Sequence, residues 1–353
     1  MSQLHNSHYR DLLPGVPSVE SPFFDAIFAN EPQHVQQIAT DLRNDGYAVI
    51  DFPEAEFDQI SKDIKDSLTP LFDAETWDSF MAGDVAHLRI QDAWETDENV
   101  RRIATNQGII DLLSKLYGAQ AWPFQTLNFP IGSQQMMHSD VVHFHSAPER
   151  FMCGVWVALE DVTLENGPLF YYPGSHRLPI YTNEHIGVCV SKRIEMPTQA
   201  IYEPMWKALV HAHRLEPKRF LAKKGQALIW AANLLHGGSP HLNRQASRWS
   251  QVTHYFFEGC AYYTPLNSDP FFGRTEFREL KNIQTGKIMR HRYAGCDIPD
   301  DFIQASLEGH VDFDAISYLQ ANPDVAQAGT DALEHYLRFG RAEKRRLRPF
   351  LGA

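Results

Sequence analysis

His138-Ser139-Asp140, the later Leu235-His236-Gly237-Gly238-Ser239 and, beyond it, Arg248 decide how this chain of 353 residues is read. Side chains alternate faces along an extended strand, so a His and an Asp two positions apart point the same way and can bind one ion side by side. A third ligand arriving from a distant strand completes the set. Two imidazoles and one carboxylate on one face of an octahedral ion leave positions open for a chelating cosubstrate and for dioxygen, the arrangement expected of a non-haem Fe(II) oxygenase. His138, Asp140 and His236 are therefore the expected iron ligands. Arg248, whose planar guanidinium matches a carboxylate bidentately and stays charged, is the expected anchor for an acidic cosubstrate.

The chain supplies its own control. With 17 His and 44 acidic residues, a chance H-x-D is expected, and His310-Val311-Asp312 is one, followed by His335 and Arg346. Too few residues separate Asp312 from His335 to build barrel strands, and that stretch has a helical pattern containing Asn322-Pro323. The first set has a different setting. A Pro130-Ile131-Gly132-Ser133 turn precedes His138, and the apolar run from Ala227 to Ala232 precedes His236.

From about Gly46 to about Gly259 the chain resembles the phytanoyl-CoA dioxygenase family of 2-oxoglutarate oxygenases. The matching words, in order, are Asp45-Gly46-Tyr47-Ala48-Val49-Ile50, His138-Ser139-Asp140, the run from Trp156 to Val162, Asn166-Gly167-Pro168-Leu169, Pro173-Gly174-Ser175-His176, and His236 with Arg248. The resemblance implies a double-stranded β-helix of the cupin-like jelly-roll type, iron on His138, Asp140 and His236, and Arg248 on the distal carboxylate of 2-oxoglutarate. It further implies Trp156 and Asn128 beside the cosubstrate. The small residue usually found two after the second His is Gly238 here, which leaves the neighbouring Ser239 as a cosubstrate contact. The implied reaction consumes O2 and 2-oxoglutarate, releases succinate and CO2, and by default hydroxylates a C–H bond of a small-molecule substrate. Asp140 argues against halogenation, since related halogenases carry a small residue at that ligand position.

Composition fits a globular enzyme, with 43% hydrophobic residues and ample length for a core. No apolar run approaches the length of a membrane span, and Met1 to Asn30 lacks the pattern of a secretory signal. The four cysteines, Cys153, Cys189, Cys260 and Cys296, form no close pairs, so neither a zinc ribbon nor a disulfide scaffold is expected and a reducing cytoplasm is. A net charge of −12 disfavours nucleic acid as a partner. The basic segment from His211 to Lys224 reads as a solvated face, with binding of a phosphate or a coenzyme A tail as the alternative.

Helices are expected from Pro32 to Arg43, from about Phe57 to Leu68 and from about Asn99 to Tyr117, with a strand from Tyr47 to Phe52. Strand-like sequence follows from Ala121 to Phe257, which makes the class α+β. After about Phe313 the words Tyr318 to Val325, Leu333 to Leu337 and Phe339 to Glu343 resemble a short helical module appended to bacterial enzymes of cell-surface polysaccharide pathways. The expected division is an oxygenase domain over 1–298 and a C-terminal helical module over 313–353. Leu333, Tyr336 and Leu337 are expected to pack on the oxygenase domain, with docking of a protein partner as the alternative. Val142 to His145 and the Tyr171-Tyr172 pair are expected to shape the substrate pocket. The competing functional reading is a non-catalytic cupin that serves a polysaccharide pathway as a binding or scaffold protein.

Overall fold

The computed structural model describes residues 6–84, 88–192, 197–307, 315–343 and 345–347. Its strands, in chain order, are β1 (Tyr47–Asp51), β2 (Ile90–Gln91), β3 (Ala121–Phe129), β4 (His145–Ala147), β5 (Met152–Ala158), β6 (Leu169–Tyr171), β7 (Lys218–Phe220), β8 (Gln226–Ala231), β9 (His236–Gly238), β10 (Ser250–Phe257), β11 (Ala261–Tyr263), β12 (Arg292–Tyr293) and β13 (Cys296–Asp297). The helices are α1 (Asn6–Leu12), α2 (Phe24–Phe28), α3 (Gln33–Asp45), α4 (Phe57–Leu68), α5 (Ala74–Ala82), α6 (Glu98–Ala104), α7 (Gln107–Tyr117), α8 (Glu203–Ala212), α9 (Asp300–Leu307), α10 (Ala315–Ala321), α11 (Pro323–Gln327) and α12 (Ala332–His335).

The major sheet has the order β1-β8-β5-β10-β3-β2 and the minor sheet the order β7-β6-β9. Reciprocal bonds join His138 to the free edge of β9, from His138 N to His236 O at 2.9 Å and from His236 N to His138 O at 3.0 Å. The chain therefore visits the two sheets in the sequence β3 major, His138 minor, β5 major, β6 and β7 minor, β8 major, β9 minor, β10 major. That winding is the expected double-stranded β-helix.

The central strands of the major sheet, β8, β5 and β10, are buried on both faces, which explains why β5 and β8 read as continuous apolar runs. Val155, Val157, Ala227 and Ile229 face a core closed by Leu42 of α3, Ile60 and Ile64 of α4, Val100 of α6 and Ile110 and Leu113 of α7. Trp156, Ala158, Leu228, Trp230 and Val252 face the minor sheet, where Tyr171 and Phe220 meet them.

The helices over 33–45 and 57–68 match expectation closely. The single helix expected from Asn99 to Tyr117 is two, because Asp97 and Asn106 each cap a new start. Asp97 Oδ1 accepts from Val100 N at 3.0 Å, and Asn106 Oδ1 accepts from Ile109 N at 3.2 Å. The basic segment is a solvated face as read. Lys223 pairs with Asp161 at 2.9 Å and Lys224 with Asp58 at 2.7 Å.

At the C-terminal end, Tyr318, Val325, Ala332 and Tyr336 form a small core of their own, with Leu319 and Leu337 against it. Tyr336 and Leu337, expected to face the oxygenase body, thus close the interior of the module. Helix α9, beyond the expected boundary at 298, is fastened to the body: Thr275 N donates to Ser306 O at 3.0 Å, and the Phe277 and Phe302 rings lie 6.3 Å apart. No helix among the described residues is long and apolar enough to cross a membrane.

Gly46 ends α3 at φ 81° and donates its N–H to Leu42 O. A Cβ there would lie 2.5 Å from Nδ1 of His176, whose ring is packed beneath the turn and bonds Arg43 O at 3.2 Å. Left-handed backbone costs a non-glycine residue on the order of 1–3 kcal/mol, and here the clash adds to it. Gly46→Ala should therefore lower the thermal midpoint by several degrees or abolish soluble expression; an unchanged melting curve would remove this turn as a determinant of the fold.

Candidate metal centre

His138 and His236 face one another because their backbones are the bridged pair just described, and their rings sit 4.4 Å apart. Ser139 is extended, with φ −112° and ψ 133°, and turns its hydroxyl the other way, to Ala232 O. Asp140 follows on the same side as His138 and opens a tight turn in which its carbonyl accepts from His143 N and Phe144 N. Strand alternation carries the H-x-D geometry as far as Asp140, and the turn then takes the chain out of the sheet.

Both imidazoles are held by the same device. His138 Nδ1 bonds Met136 O at 2.9 Å and His236 Nδ1 bonds Leu234 O at 3.0 Å, so the proton of each neutral ring sits on Nδ1 and Nε2 is left as a lone pair. Those two Nε2 atoms lie 3.5 and 3.8 Å from Asp140 Oδ1. The other carboxylate oxygen, Oδ2, is occupied by the Trp230 indole N–H at 2.8 Å. Three donors, each with its second polar atom already satisfied, converge within 4.8 Å of one another and are buried.

Electrostatics favour the ionisation states a cation needs. Burial raises the Asp140 pKa, but the attraction of His236 and the hydrogen bond with His138 outweigh it and hold the carboxyl well below its usual range. Burial pushes the His236 imidazole down to about 4, against the opposing pull of Asp140, so the ring is neutral above that pH. The donor set, two imidazole nitrogens and one carboxylate oxygen, fits a divalent transition metal such as Fe(II).

The three residues line a cavity of about 410 Å³, within the range of small-ligand sites. Arg248 also lines it, 2% exposed, held by Arg248 N to Pro130 O at 2.8 Å and by Nη1 to Ser250 Oγ at 2.6 Å. Its guanidinium lies 5.3 Å from the centre of the Trp156 ring, and Trp156 lines the cavity as expected. Arg248 Nε is buried without a hydrogen-bond partner, and no ion pair neutralises the side chain among the described residues. Burial pushes its pKa down to about 10.

Two expected contacts are placed elsewhere. Asn128 is buried but lies between Leu127 and Phe129, which line the cavity, and its own side chain goes to the opposite face of β3, where Nδ2 bonds Gln251 Oε1 at 3.2 Å. Parity along the strand decides this. Ser239 is buried with its hydroxyl unpartnered, one residue past the end of β9, and is not part of the cavity wall. Of the expected pocket residues, His143 and Phe144 line the cavity, whereas His145 pairs with Tyr263 in the β4–β11 ribbon and Tyr171 packs its ring on Tyr47. The chance triplet His310-Val311-Asp312 lies outside the described residues.

His254, Trp230, Gln125 and Arg278 complete the wall and were not anticipated as site residues. For His254 the signal was present: Val252 and His254 share parity on β10, in step with Arg248 just before it. Trp230 stands opposite Gly154 in the β5–β8 register, and a Cβ on Gly154 would lie 2.1 Å from the indole.

The family model of phytanoyl-CoA dioxygenase matches residues 42–249. Phytanoyl-CoA dioxygenase domain-containing protein 1 of Danio rerio is 46% identical over 140 residues, 39% of this chain and 44% of that protein. A probable phytanoyl-CoA dioxygenase of Caenorhabditis elegans is 28% identical over 116 residues, 30% of this chain and 37% of that protein. The chain thus matches less than half the length of these curated relatives. Among solved structures, the epimerase SnoN in complex with Fe3+, alpha ketoglutarate and nogalamycin RO is 19% identical with a TM-score of 0.49, covering 73% of this chain and 99% of that one. EctD from S. alaskensis with 2-oxoglutarate and 5-hydroxyectoine is 21% identical with a TM-score of 0.48, covering 65% and 78%.

Because the Trp230 indole occupies the space a side chain at Gly154 would need, Gly154→Ala should displace it and release Asp140 Oδ2. Affinity for Mn(II), measured calorimetrically as a stand-in for Fe(II), should fall about 10- to 100-fold, as for other groups that orient a metal ligand. Unaltered affinity would mean that the Trp230 bond does not position Asp140.

Proposed function

The chain belongs to the phytanoyl-CoA dioxygenase family, and we propose that it is a non-haem Fe(II)- and 2-oxoglutarate-dependent dioxygenase that hydroxylates a C–H bond of a small-molecule substrate. The observation that carries this reading is the pairing, in one cavity, of the His138, Asp140 and His236 donor set with a buried guanidinium that makes no ion pair among the described residues. Glu160 acts on Arg248 only through space, and a scaffold protein gains nothing from keeping a buried charge without an ion pair beside three convergent metal donors.

When bound, Fe(II) with 2-oxoglutarate supplies the oxidising power: O2 is consumed, one oxygen atom enters the substrate and the other leaves in succinate, with release of CO2. The chain's own residues prepare the place. His138 and His236 present Nε2 because Met136 O and Leu234 O fix the other nitrogen. Asp140 offers Oδ1 while Trp230 occupies Oδ2, which favours one-point attachment and leaves room for a chelating cosubstrate. Arg248 takes the far carboxylate of 2-oxoglutarate, and Trp156, stacked on the guanidinium, shields that contact from water. Asp140 fills the ligand position that a halide would need, so the reading is hydroxylation and not halogenation.

We assign this chemistry to the body of the chain, extending the expected boundary at 298 to Leu307 because α9 is fastened to it, and treat the helices from Ala315 onward as a separate module. Free thiols at Cys153, Cys189, Cys260 and Cys296 suit a reducing, cytoplasmic setting.

Purified protein given Fe(II) and then 2-oxoglutarate without oxygen should develop a weak visible charge-transfer band; a flat spectrum from folded, metal-loaded protein refutes the enzyme reading. Removing one member of a desolvated charge pair typically costs about 2 to 5 kcal/mol, or roughly 30-fold to several thousand-fold in affinity. Arg248→Gln should weaken 2-oxoglutarate in that titration by such a factor with metal affinity nearly unchanged, and the reverse pattern would make Arg248 structural. A chain ending at Leu307 should keep both the band and 2-oxoglutarate turnover, and their loss from a folded truncation would join the module to the site.

A further inference from the structure

The cavity holds a second guanidinium that makes no ion pair among the described residues, and it comes from a part of the chain that the metal centre does not use. Arg278 lies beyond β11, where its backbone N–H donates to Tyr262 O at 3.0 Å. Its side chain lines the same cavity as the metal donors, beside His143, Phe144 and Gln199. Nη1 reaches only neutral acceptors, His143 O at 3.4 Å and Thr264 Oγ1 at 3.2 Å. The guanidinium carbon lies 4.8 Å from the centre of the Phe144 ring, and Nε is buried with no hydrogen-bond partner.

The nearby acids do not neutralise it. Glu276 and Asp92 act on Arg278 through space, but neither forms an ion pair with it among the described residues. The Asp92 carboxylate is engaged by Thr126 N, Trp94 Nε1 and Gln91 Nε2, each at 3.1 Å. The cavity as a whole runs against the charge of the protein. The chain carries a net charge of −12, yet this wall contains Arg89, Arg248 and Arg278 and a single acid, Asp140. Arg278 is half-buried, and a guanidinium partly withdrawn from water without an ion pair is stabilised by an oxyanion that takes its forked N–H groups in pairs.

We propose that Arg278 is a substrate-recognising residue and that the primary substrate is a small organic acid, carrying a carboxylate or a phosphate ester that Arg278 binds while an apolar body lies along Leu127, Phe144 and Val252. Exposed Arg89, at the mouth, draws the anion in. His143, whose Nε2 bonds Gln199 Oε1 at 2.9 Å, closes the polar end of the pocket. The proposal rests on the reading of Arg248 as the cosubstrate anchor, since it requires each guanidinium to take a different anion.

The test uses full-length protein loaded with Fe(II) and 2-oxoglutarate under anaerobic conditions, titrated with matched probes: hexanoate against hexanamide, benzoate against benzamide, and phenyl phosphate against phenol. Shifts of the charge-transfer band report binding without turnover, and acceleration of 2-oxoglutarate decarboxylation on admitting air reports productive seating. Acidic probes should bind at least tenfold tighter than their neutral partners, and whether the carboxylates or the phosphate ester bind tighter decides the head group. Arg278→Gln should lose that preference, Arg278→Lys should keep part of it as a point charge, and both should bind 2-oxoglutarate within twofold of the unaltered protein. Equal binding of neutral and acidic probes, no binding of any acid, or an acid preference that survives Arg278→Gln overturns the proposal. If Arg278→Gln weakens 2-oxoglutarate and Arg248→Gln does not, the two anchors are exchanged and the assignment of Arg248 fails; if only Arg248→Gln weakens 2-oxoglutarate and the acid preference is absent, the substrate proposal fails alone.

Discussion

The bond from the Trp230 indole to Asp140 Oδ2 joins the architecture of this protein to its chemistry. It exists because Gly154, directly across the β5–β8 ladder, has no side chain to fill the space the indole occupies. Along the same rung His254 stands opposite Gly154 on the other side, so three adjacent strands of the major sheet place Trp230, a bare backbone and His254 in one row beneath the carboxylate. The two histidines are positioned by a different ladder, the reciprocal backbone bonds between residues 138 and 236 at the edge of the minor sheet. The metal centre is thus clamped between the sheets, and its geometry depends on their spacing more than on any loop.

Charge is distributed with equal economy. An acidic protein has turned two arginines, buried Arg248 and half-buried Arg278, into one cavity, and on the proposed function anionic ligands would offset the cost. Each guanidinium is stacked on an aromatic ring, Trp156 for one and Phe144 for the other, which restrains its plane and keeps water from that face.

Much of this was legible in the sequence because it depends on short-range rules. Two-residue spacing gives shared faces, hence His138 with Asp140, and the words around Gly46, Gly174 and Gly237 carry the jelly roll. Where the reading failed, a rule was applied without its phase or a competing local signal was overlooked. Asn128 sits in a true strand of the barrel, but the wall takes the odd positions 125, 127 and 129. The helix expected from 99 to 117 ignored Asn106 as a cap in its middle. Arg278 was invisible for a different reason: it reaches the cavity from an irregular segment between β11 and β12, where no periodicity predicts direction, and only the folded chain shows that its half-buried head group makes no ion pair among the described residues.

On the proposed function, that separation along the chain bears on how the protein can diverge. The metal donors and the cosubstrate anchor lie on the jelly roll between His138 and Arg248, whereas Arg278 follows the last barrel strand and Gln199 belongs to the long excursion between β6 and β7. Part of the proposed selectivity is therefore carried by stretches of sequence separate from the metal donors, while Leu127, Phe144 and Val252 belong to the barrel and its first turn. Exchange, lengthening or drift in the excursion and in the post-barrel segment can retarget the protein to a new compound while the iron centre is left untouched, so one scaffold can spread across many metabolites without reinventing its reaction.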